Sequence, residues 1–234
     1  MSDKISAIIL AAGAGRRMNS DIPKQYMPVA GKPLVVYSLE IFDQSSVDEI
    51  ILVVASGDED YCKEEIVNKY NIGKVTAIVS GGAERYDSVY AGLKAATGDY
   101  VMIHDCARAF VTEDIINKAI DGMKEYQACV VAIPSKDTVK LADDNGFVAE
   151  TPDRSRVWSV QTPQCFEYNL VREAYDKLPE MNLENITDDA MVVEQVLHKP
   201  VKLVMGDYNN VKVTTPEDIN LAINILKSQG RILY

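Results

Sequence analysis

Hydrophobic residues in this chain gather in short continuous runs separated by amphipathic stretches. Ile5-Ser-Ala-Ile-Ile-Leu10 is one such run. It ends in Ala-Ala-Gly-Ala-Gly, which predicts a buried strand opening into a tight loop. Glu49 to Ala55, Val75 to Val79, Tyr100 to His104 and Cys129 to Ile133 predict further strands. Between them, Leu34 to Phe42, Asp58 to Tyr70, Arg85 to Ala96 and Thr112 to Tyr126 have helical spacing. This alternation predicts an α/β fold, doubly wound, with a mostly parallel sheet covered by helices on both faces.

The pattern breaks after Ile133. Thr138 to Ala142, the Asp143-Asp144-Asn145-Gly146 turn and Phe147 to Thr151 predict a β-hairpin, with Asn-Gly suiting a type I′ turn. An isolated hairpin is marginal in water, so this one needs a surface to dock on, either its own domain or a second copy of the chain. Val139, Leu141 and Phe147 are its expected exposed apolar residues. Helices follow near Glu167 to Leu178 and near Asp188 to Leu197, the second with Thr187 as its N-cap, and then a strand near Val201 to Met205. A last helix opens at Thr215-Pro-Glu-Asp218, with Thr as N-cap and Pro at the first helical position. With no repeat or long linker, residues 1–234 read as a single domain with an arm at about 138–160.

Composition narrows the function. The chain is 47% hydrophobic and 25% charged, an ordinary globular balance. No apolar run approaches the roughly 20 residues of a membrane helix. Met1-Ser-Asp-Lys leads straight into the first strand without a signal peptide, so a cytoplasmic protein is expected, without membrane contact. The four cysteines lie far apart and only two histidines occur, which excludes a zinc-finger spacing and a histidine-rich metal site. The net charge of −11 argues against nucleic acid as a partner. Against that background, Gly13 to Lys32 carries Arg16, Arg17, Lys24 and Lys32 with Asp21 as the single acid. A small polyanion is the ligand such a patch fits.

Leu10-Ala-Ala-Gly13-Ala-Gly15-Arg16-Arg17-Met18 follows the first strand, where open α/β sheets bind ligands. Met18 stands where a dinucleotide fingerprint has its third glycine, and no Walker lysine is present. Small residues that let backbone N–H groups approach an anion, joined to cationic side chains, suit a triphosphate. A plain strand–helix turn with solvated arginines is the alternative. Gly81-Gly82-Ala-Glu-Arg85-Tyr-Asp-Ser88 and His104-Asp105-Cys106-Ala107-Arg108 follow strands that end on the same sheet edge. Asp105 is a candidate for a magnesium ion or a ribose hydroxyl, with simple pairing to Arg108 as the alternative. Cys106 reads as a small buried residue.

These segments occur in order with Pro23-Lys24-Gln25-Tyr26, Lys136-Asp137-Thr138, Asp153-Arg154, Gln161-Thr162-Pro163-Gln164, Thr187-Asp188-Asp189-Ala190 and Asn210-Val211-Lys212-Val213-Thr214-Thr215-Pro216-Glu217-Asp218. As a set they resemble the 2-C-methyl-D-erythritol 4-phosphate cytidylyltransferase family of the non-mevalonate isoprenoid pathway, over about Ile5 to Ala222. The resemblance implies a Rossmann-like nucleotidyltransferase that transfers CMP from CTP to 2-C-methyl-D-erythritol 4-phosphate and releases pyrophosphate. It implies that Ala11, Ala12, Gly13 and Gly15 form the nucleotide loop and that Arg17 and Lys24 hold the triphosphate. Gly82 and Ser88 would recognise cytosine, and Asp105 would lie at the ribose and at Mg2+. Thr138, Arg154, Thr187 and Lys212 would hold the methylerythritol phosphate, with Arg108 beside it. Arg17, Lys24, Arg154 and Lys212 would form the catalytic set. The hairpin arm would interlock two subunits of a homodimer, so that each acceptor pocket mixes residues from both chains. Two positions depart from the family pattern: Ala109 replaces a usual Pro, and Asn209 stands where some members carry an acid.

Three rivals remain at this point: a cytidylyltransferase for ribitol 5-phosphate or another polyol phosphate, a non-catalytic nucleotide-binding regulator, and a nicotinamide-dependent dehydrogenase. The missing third glycine weakens the last. The retained Arg17, Lys24, Asp105, Arg154 and Lys212 weaken the second.

Overall fold

The computed structural model describes residues 3–13, 22–181 and 186–232. Its first strand, β1 (Ile5–Ala11), is buried throughout, as a strand covered on both faces must be. Alternate side chains serve opposite layers: Ile5, Ala7, Ile9 and Ala11 enter one core, whereas Ile8 and Leu10 enter another. A small ribbon, β2 (Pro28–Val29) with β3 (Lys32–Pro33), leads into α1 (Leu34–Gln44). Then come β4 (Glu49–Val54) and α2 (Glu59–Tyr61), which continues as a π-helical stretch at Cys62–Asn68. The helix expected over Asp58 to Tyr70 is therefore present but wider than an α-helix along most of its length.

The next units are β5 (Val75–Ser80), α3 (Arg85–Ala95), β6 (Tyr100–Asp105), α4 (Glu113–Tyr126) and β7 (Ala128–Pro134). Thr112 caps α4 by accepting a bond from Ile115 N–H, and Glu113 and Asp114 fill its first turn. The arm follows, with β8 (Leu141–Ala142) paired to β9 (Val148–Glu150) apart from the main sheet. The chain returns through β10 (Trp158–Glu167), α5 (Tyr168–Lys177), α6 (Asp189–Leu197), β11 (Lys202–Met205) and α7 (Asp218–Ser228).

The main sheet has the order β11-β7-β10-β6-β1-β4-β5, and β10 alone runs antiparallel to its neighbours. The α1 residues Val35, Val36, Leu39 and Phe42 and the α4 residues Ile116 and Ala119 pack on one face. Val89 and Leu93 of α3, Val171 of α5 and Val192 and Val193 of α6 cover the other. The doubly wound, mostly parallel architecture is as the sequence predicts.

Four local expectations are corrected. β10 was not among the expected strands, and it takes Trp158 to Val160 out of the 138–160 arm and into the central sheet, opposite Ala132 to Pro134. The hairpin turn is not type I′, because Gly146 has φ +82 whereas Asn145 has no positive φ. Asp143 Oδ1 instead accepts bonds from the N–H groups of Asn145 and Phe147, and Gly146 alone takes the left-handed position. The cap of α6 is Asp188, whose Oδ1 accepts from Met191 N–H at 2.8 Å, and not Thr187. Finally, α7 starts at Asp218, whose carboxylate reaches back to Thr214 and Thr215 N–H, so Thr215 is not its N-cap.

Candidate active site

The loops after β1, β5 and β6 emerge on one sheet edge, since their strands run parallel and Leu10 lies beside Asp105. β10 brings Gln161 and Thr162 to the same edge from the opposite direction. Thr162 Oγ1 accepts a bond from Asp105 N–H at 3.2 Å. Two cavities open there.

The first, of about 420 Å³, is lined by Ala11, Ala12, Gly13, Lys24, Gly82 and Ser88, among others. These are expected nucleotide residues, and the structure brings them together with Asp105. Gly15, Arg16 and Arg17 lie outside the described residues. Close backbone approach explains the glycine pair. A Cβ on Gly81 would stand 2.6 Å from both Ala12 Cβ and Ser88 Oγ, and one on Gly82 would stand 2.2 Å from Asp87 Cβ. The loop is held from within as well: Ser88 Oγ accepts from Gly82 N–H at 3.2 Å, and Glu84 and Asp87 form a capping box at the start of α3.

The second cavity, of about 340 Å³, is bordered by Arg108, Gln161, Thr187 and Asp188. It shares Arg85, Asp105 and Lys212 with the first. Arg108, Thr187 and Lys212, three of the expected acceptor residues, thus meet here. Thr138 and Arg154 do not: both are exposed on the arm, where Arg154 makes a 3.4 Å contact with Lys136 O.

Asp105 is the partition between the cavities. Lys212 Nζ donates to its Oδ2 at 2.6 Å, and Arg85 Nε to its Oδ1 at 3.2 Å. Burial alone would raise this carboxyl, but the charges of Arg85 and Lys212 outweigh it and hold Asp105 well below the usual carboxylate range. The alternative pairing of Asp105 with Arg108 is not what forms. Arg108 donates to Asn210 O at 2.8 Å and Val160 O at 3.2 Å instead, and its Nε is buried with no hydrogen-bond partner among the described residues. The loop around Ala109 is pinned despite the missing proline: Ala109 is fully buried, and its carbonyl accepts from Arg231 at 2.7 Å. Asn209 is exposed and turns its N–H onto Asp207 Oδ1 at 2.7 Å.

The residues behind Asp105 were not among the expected site residues. Arg85 makes a two-pronged contact with Asp189, 2.8 Å on each side. The Asp189 side chain is fully buried and also accepts from Tyr175 Oη at 2.6 Å. Gln164 Oε1 accepts from the N–H groups of Asp189 and Ala190, fixing the start of α6 to β10. The Thr-Asp-Asp-Ala string marked the segment, but its tie to Arg85 spans 104 positions and leaves no local trace.

Two groups that suggest general-base or nucleophilic chemistry are disabled. His104 is fully buried, and burial lowers it to about 3, so it stays neutral. Burial pushes the Cys106 thiol up to about 12, in keeping with its reading as a small buried residue. Among the described residues no group of three or more His, Cys, Asp or Glu side chains could hold a metal ion. Asp105, with each oxygen already facing a cation, offers one contact and no cage. That donor set fits a magnesium ion that arrives on phosphate oxygens and keeps its waters, and it does not fit an ion resident in the protein.

Comparison with known proteins shows what the chain is similar to. The sequence profile of 2-C-methyl-D-erythritol 4-phosphate cytidylyltransferase matches residues 5–228. A protein of that name from Lachnoclostridium phytofermentans is 48% identical over 226 residues, covering 96% of this chain and 97% of its own. One from Alkaliphilus oremlandii is 47% identical, covering 97% and 96%. Among solved structures, the 4-diphosphocytidyl-2C-methyl-D-erythritol synthase of Anaerococcus prevotii superposes with a TM-score of 0.85 at 38% identity, covering 96% of each chain. The Thermus thermophilus cytidylyltransferase superposes at 0.76 and 29% identity, covering 96% of this chain and 98% of that one. By its sequence and its fold, this chain belongs to the 2-C-methyl-D-erythritol 4-phosphate cytidylyltransferase family.

Proposed function

We propose a division of labour for the CMP transfer from CTP to 2-C-methyl-D-erythritol 4-phosphate that membership of this family assigns to the chain. The nucleotide occupies the first cavity, with its base against Gly82 and Ser88 and its triphosphate toward Lys24 and Arg17. The acceptor phosphate enters the second cavity, beside Arg108, Thr187 and Lys212. The observation that supports this reading is the shared wall of Arg85, Asp105 and Lys212, which puts the two cavities next to each other.

The acceptor is already an anion, so no base has to remove a proton from it. One of its phosphate oxygens forms a bond to the α-phosphorus, and the bond from that phosphorus to the β-phosphate bridging oxygen breaks, releasing pyrophosphate. The difficulty is electrostatic, since two polyanions must meet in line. The chain's part is to hold them there and to neutralise charge on the equatorial and leaving oxygens. Lys24 and Arg17 serve the leaving side. Lys212, at the partition, serves the acceptor phosphate and the α-phosphate together. A magnesium ion bound to the triphosphate would lower its charge further, with Asp105 as the one protein carboxylate that would help hold it. His104 and Cys106, both neutral, stay out of the chemistry.

The exposed Leu141, Phe147 and Val148 of the arm, 48%, 72% and 61% accessible, support a homodimer in which the arm docks on a second copy. Val139, expected to be exposed, is half-buried within its own chain. Docking of this kind would bring the partner's Thr138 and the partner's Arg154 to the acceptor cavity. No helix of the described residues is long and apolar enough to cross a membrane, and we place the enzyme in the cytoplasm.

CTP-dependent pyrophosphate release, with methylerythritol phosphate and ribitol 5-phosphate compared side by side, tests the reading. Strong preference for methylerythritol phosphate is expected, in line with the named relatives. Equal or better use of ribitol phosphate would reject it.

A further inference from the structure

Lys24 sits on a single 3-10 turn, Lys24–Tyr26, entered from Pro23. The turn's own bonds are few: Tyr26 N–H to Pro23 O at 2.9 Å and Met27 N–H to Lys24 O at 3.2 Å. One such turn does not hold its shape alone. Lys24 nevertheless lines the nucleotide cavity, close enough to Cys106 for its charge to act on that thiol. Contacts beyond the turn add to these bonds.

The tie is Tyr26. Its ring packs edge-on against Tyr61, with centroids 5.1 Å apart. Its hydroxyl donates to Asp58 Oδ2 at 2.9 Å and lies 3.1 Å from Cys62 Sγ. A phenol has one proton, and the carboxylate can only accept, so the Cys62 thiol is the donor in the second contact. Burial, with Cys62 and Asp58 adding to it, pushes the Tyr26 hydroxyl up, so it remains a donor. Asp58 and Cys62 are themselves anchored after β4: Asp58 N–H donates to Ala55 O at 3.0 Å and Cys62 N–H to Asp58 O at 2.8 Å.

We infer that Tyr26 is a positioning residue for Lys24, its hydroxyl clamped by Asp58 and Cys62 so that the lysine stands at the nucleotide cavity. The inference rests on the proposed role of Lys24 in holding the triphosphate. Tyr26 itself lines neither cavity. Its effect on catalysis passes through the turn.

A double-mutant cycle tests this with steady-state pyrophosphate release from CTP and methylerythritol phosphate. Tyr26→Phe keeps the ring and removes both hydroxyl contacts. It should lower kcat/KM for CTP on the order of tenfold, the scale of a misplaced charge, and leave KM for the acceptor unchanged. In a Lys24→Ala background the same substitution should cost less than about twofold, because nothing is left to position. Asp58→Ala should reproduce Tyr26→Phe, which keeps the test open if one variant folds poorly; thermal unfolding identifies such a variant. A Tyr26→Phe enzyme at wild-type rate overturns the inference, and so does a tenfold loss that persists without Lys24. Wild-type activity of Lys24→Ala overturns the assignment of Lys24 itself, and with it any positioning role for Tyr26.

Discussion

The Arg85 guanidinium grips the fully buried Asp189 carboxylate with two 2.8 Å bonds and reaches Asp105 with its remaining nitrogen. One arginine thus joins the start of α6, where Thr187 borders the second cavity, to the carboxylate that separates that cavity from the first. Two acids on one cation would be unstable if either oxygen set were idle. Tyr175 and Lys212 take up the remaining demand. These bonds tie α3, β6, α5 and α6 together at the wall the two cavities share.

Asp189→Asn removes the charge that compensates Arg85 and keeps the side-chain volume. Breaking a buried pair from one side costs about 3–5 kcal/mol. The Arg85 side chain is 31% accessible, so the loss should lie near the lower figure. Denaturant unfolding measures it, and kcat/KM should fall in parallel because Asp105 loses its brace. Unchanged stability would show that the pair contributes nothing.

Lys24→Ala and Arg17→Ala should each cost roughly 2–4 kcal/mol in kcat/KM, the range for one lost transition-state donor. Turnover assays at subsaturating CTP check both. Near-wild-type values would remove these residues from the triphosphate site.

Lys212→Ala and Arg154→Ala should separate kinetically. Lys212 lines both cavities, so its loss should weaken the use of CTP and of the acceptor alike. Arg154 lies on the arm, and its loss should raise KM for the acceptor alone. Identical profiles would contradict the placement of Lys212 on the partition.

Acid should unfold the protein in an order set by buried groups. His104 is held at about 3 by burial, against about 6.5 when unfolded. Between those values the unfolded chain takes up a proton that the folded chain refuses, so stability falls as pH drops from about 6.5 toward 3. Asp105 adds its own loss lower down: the stability it gives is present above about 4 and disappears as pH falls through its depressed folded value. Unfolding free energies at neutral and mildly acid pH should differ by a few kcal/mol, and His104→Phe should flatten the upper part of the slope.

Replacing Leu141 and Phe147 by Asp should leave a folded monomer with little activity, as read by light scattering and turnover. The two side chains are exposed on an arm that makes no part of the main sheet, so the domain does not need them. A fully active monomer would contradict the shared acceptor pocket.

What the sequence discloses here follows from how local each signal is. The apolar runs of β1 and β4, polar only at Ser6 and Glu49, declare buried parallel strands, and Glu113-Asp114 after Thr112 declares a helix start. β10 is hidden because its middle, Gln161-Thr162-Pro163-Gln164, is polar and contains a proline, both signs of a loop. Those residues are buried with their polar groups engaged: Gln161 donates to Asp207 O, Thr162 Oγ1 accepts from Asp105 N–H, and Gln164 holds the start of α6. A register shift between Val160 and Gln164 accommodates them in the sheet. Of the glycine loop that the sequence singles out, Ala11, Ala12 and Gly13 line the first cavity, whereas Gly15, Arg16 and Arg17 lie outside the described residues. The Arg85–Asp189 link and the partition by Asp105 were not, since they join segments only the folded sheet brings together. Thr138 and Arg154, which the resemblance assigns to the acceptor, line neither of the two cavities at the sheet edge.

The most direct test is a crystal structure of the enzyme with CTP and magnesium. The account predicts cytosine against Gly82 and Ser88, the ribose beside Asp105, and the β- and γ-phosphates within hydrogen-bonding distance of Lys24. A triphosphate bound away from Lys24, or a nucleotide in the cavity beside Arg108 and Thr187, would contradict it.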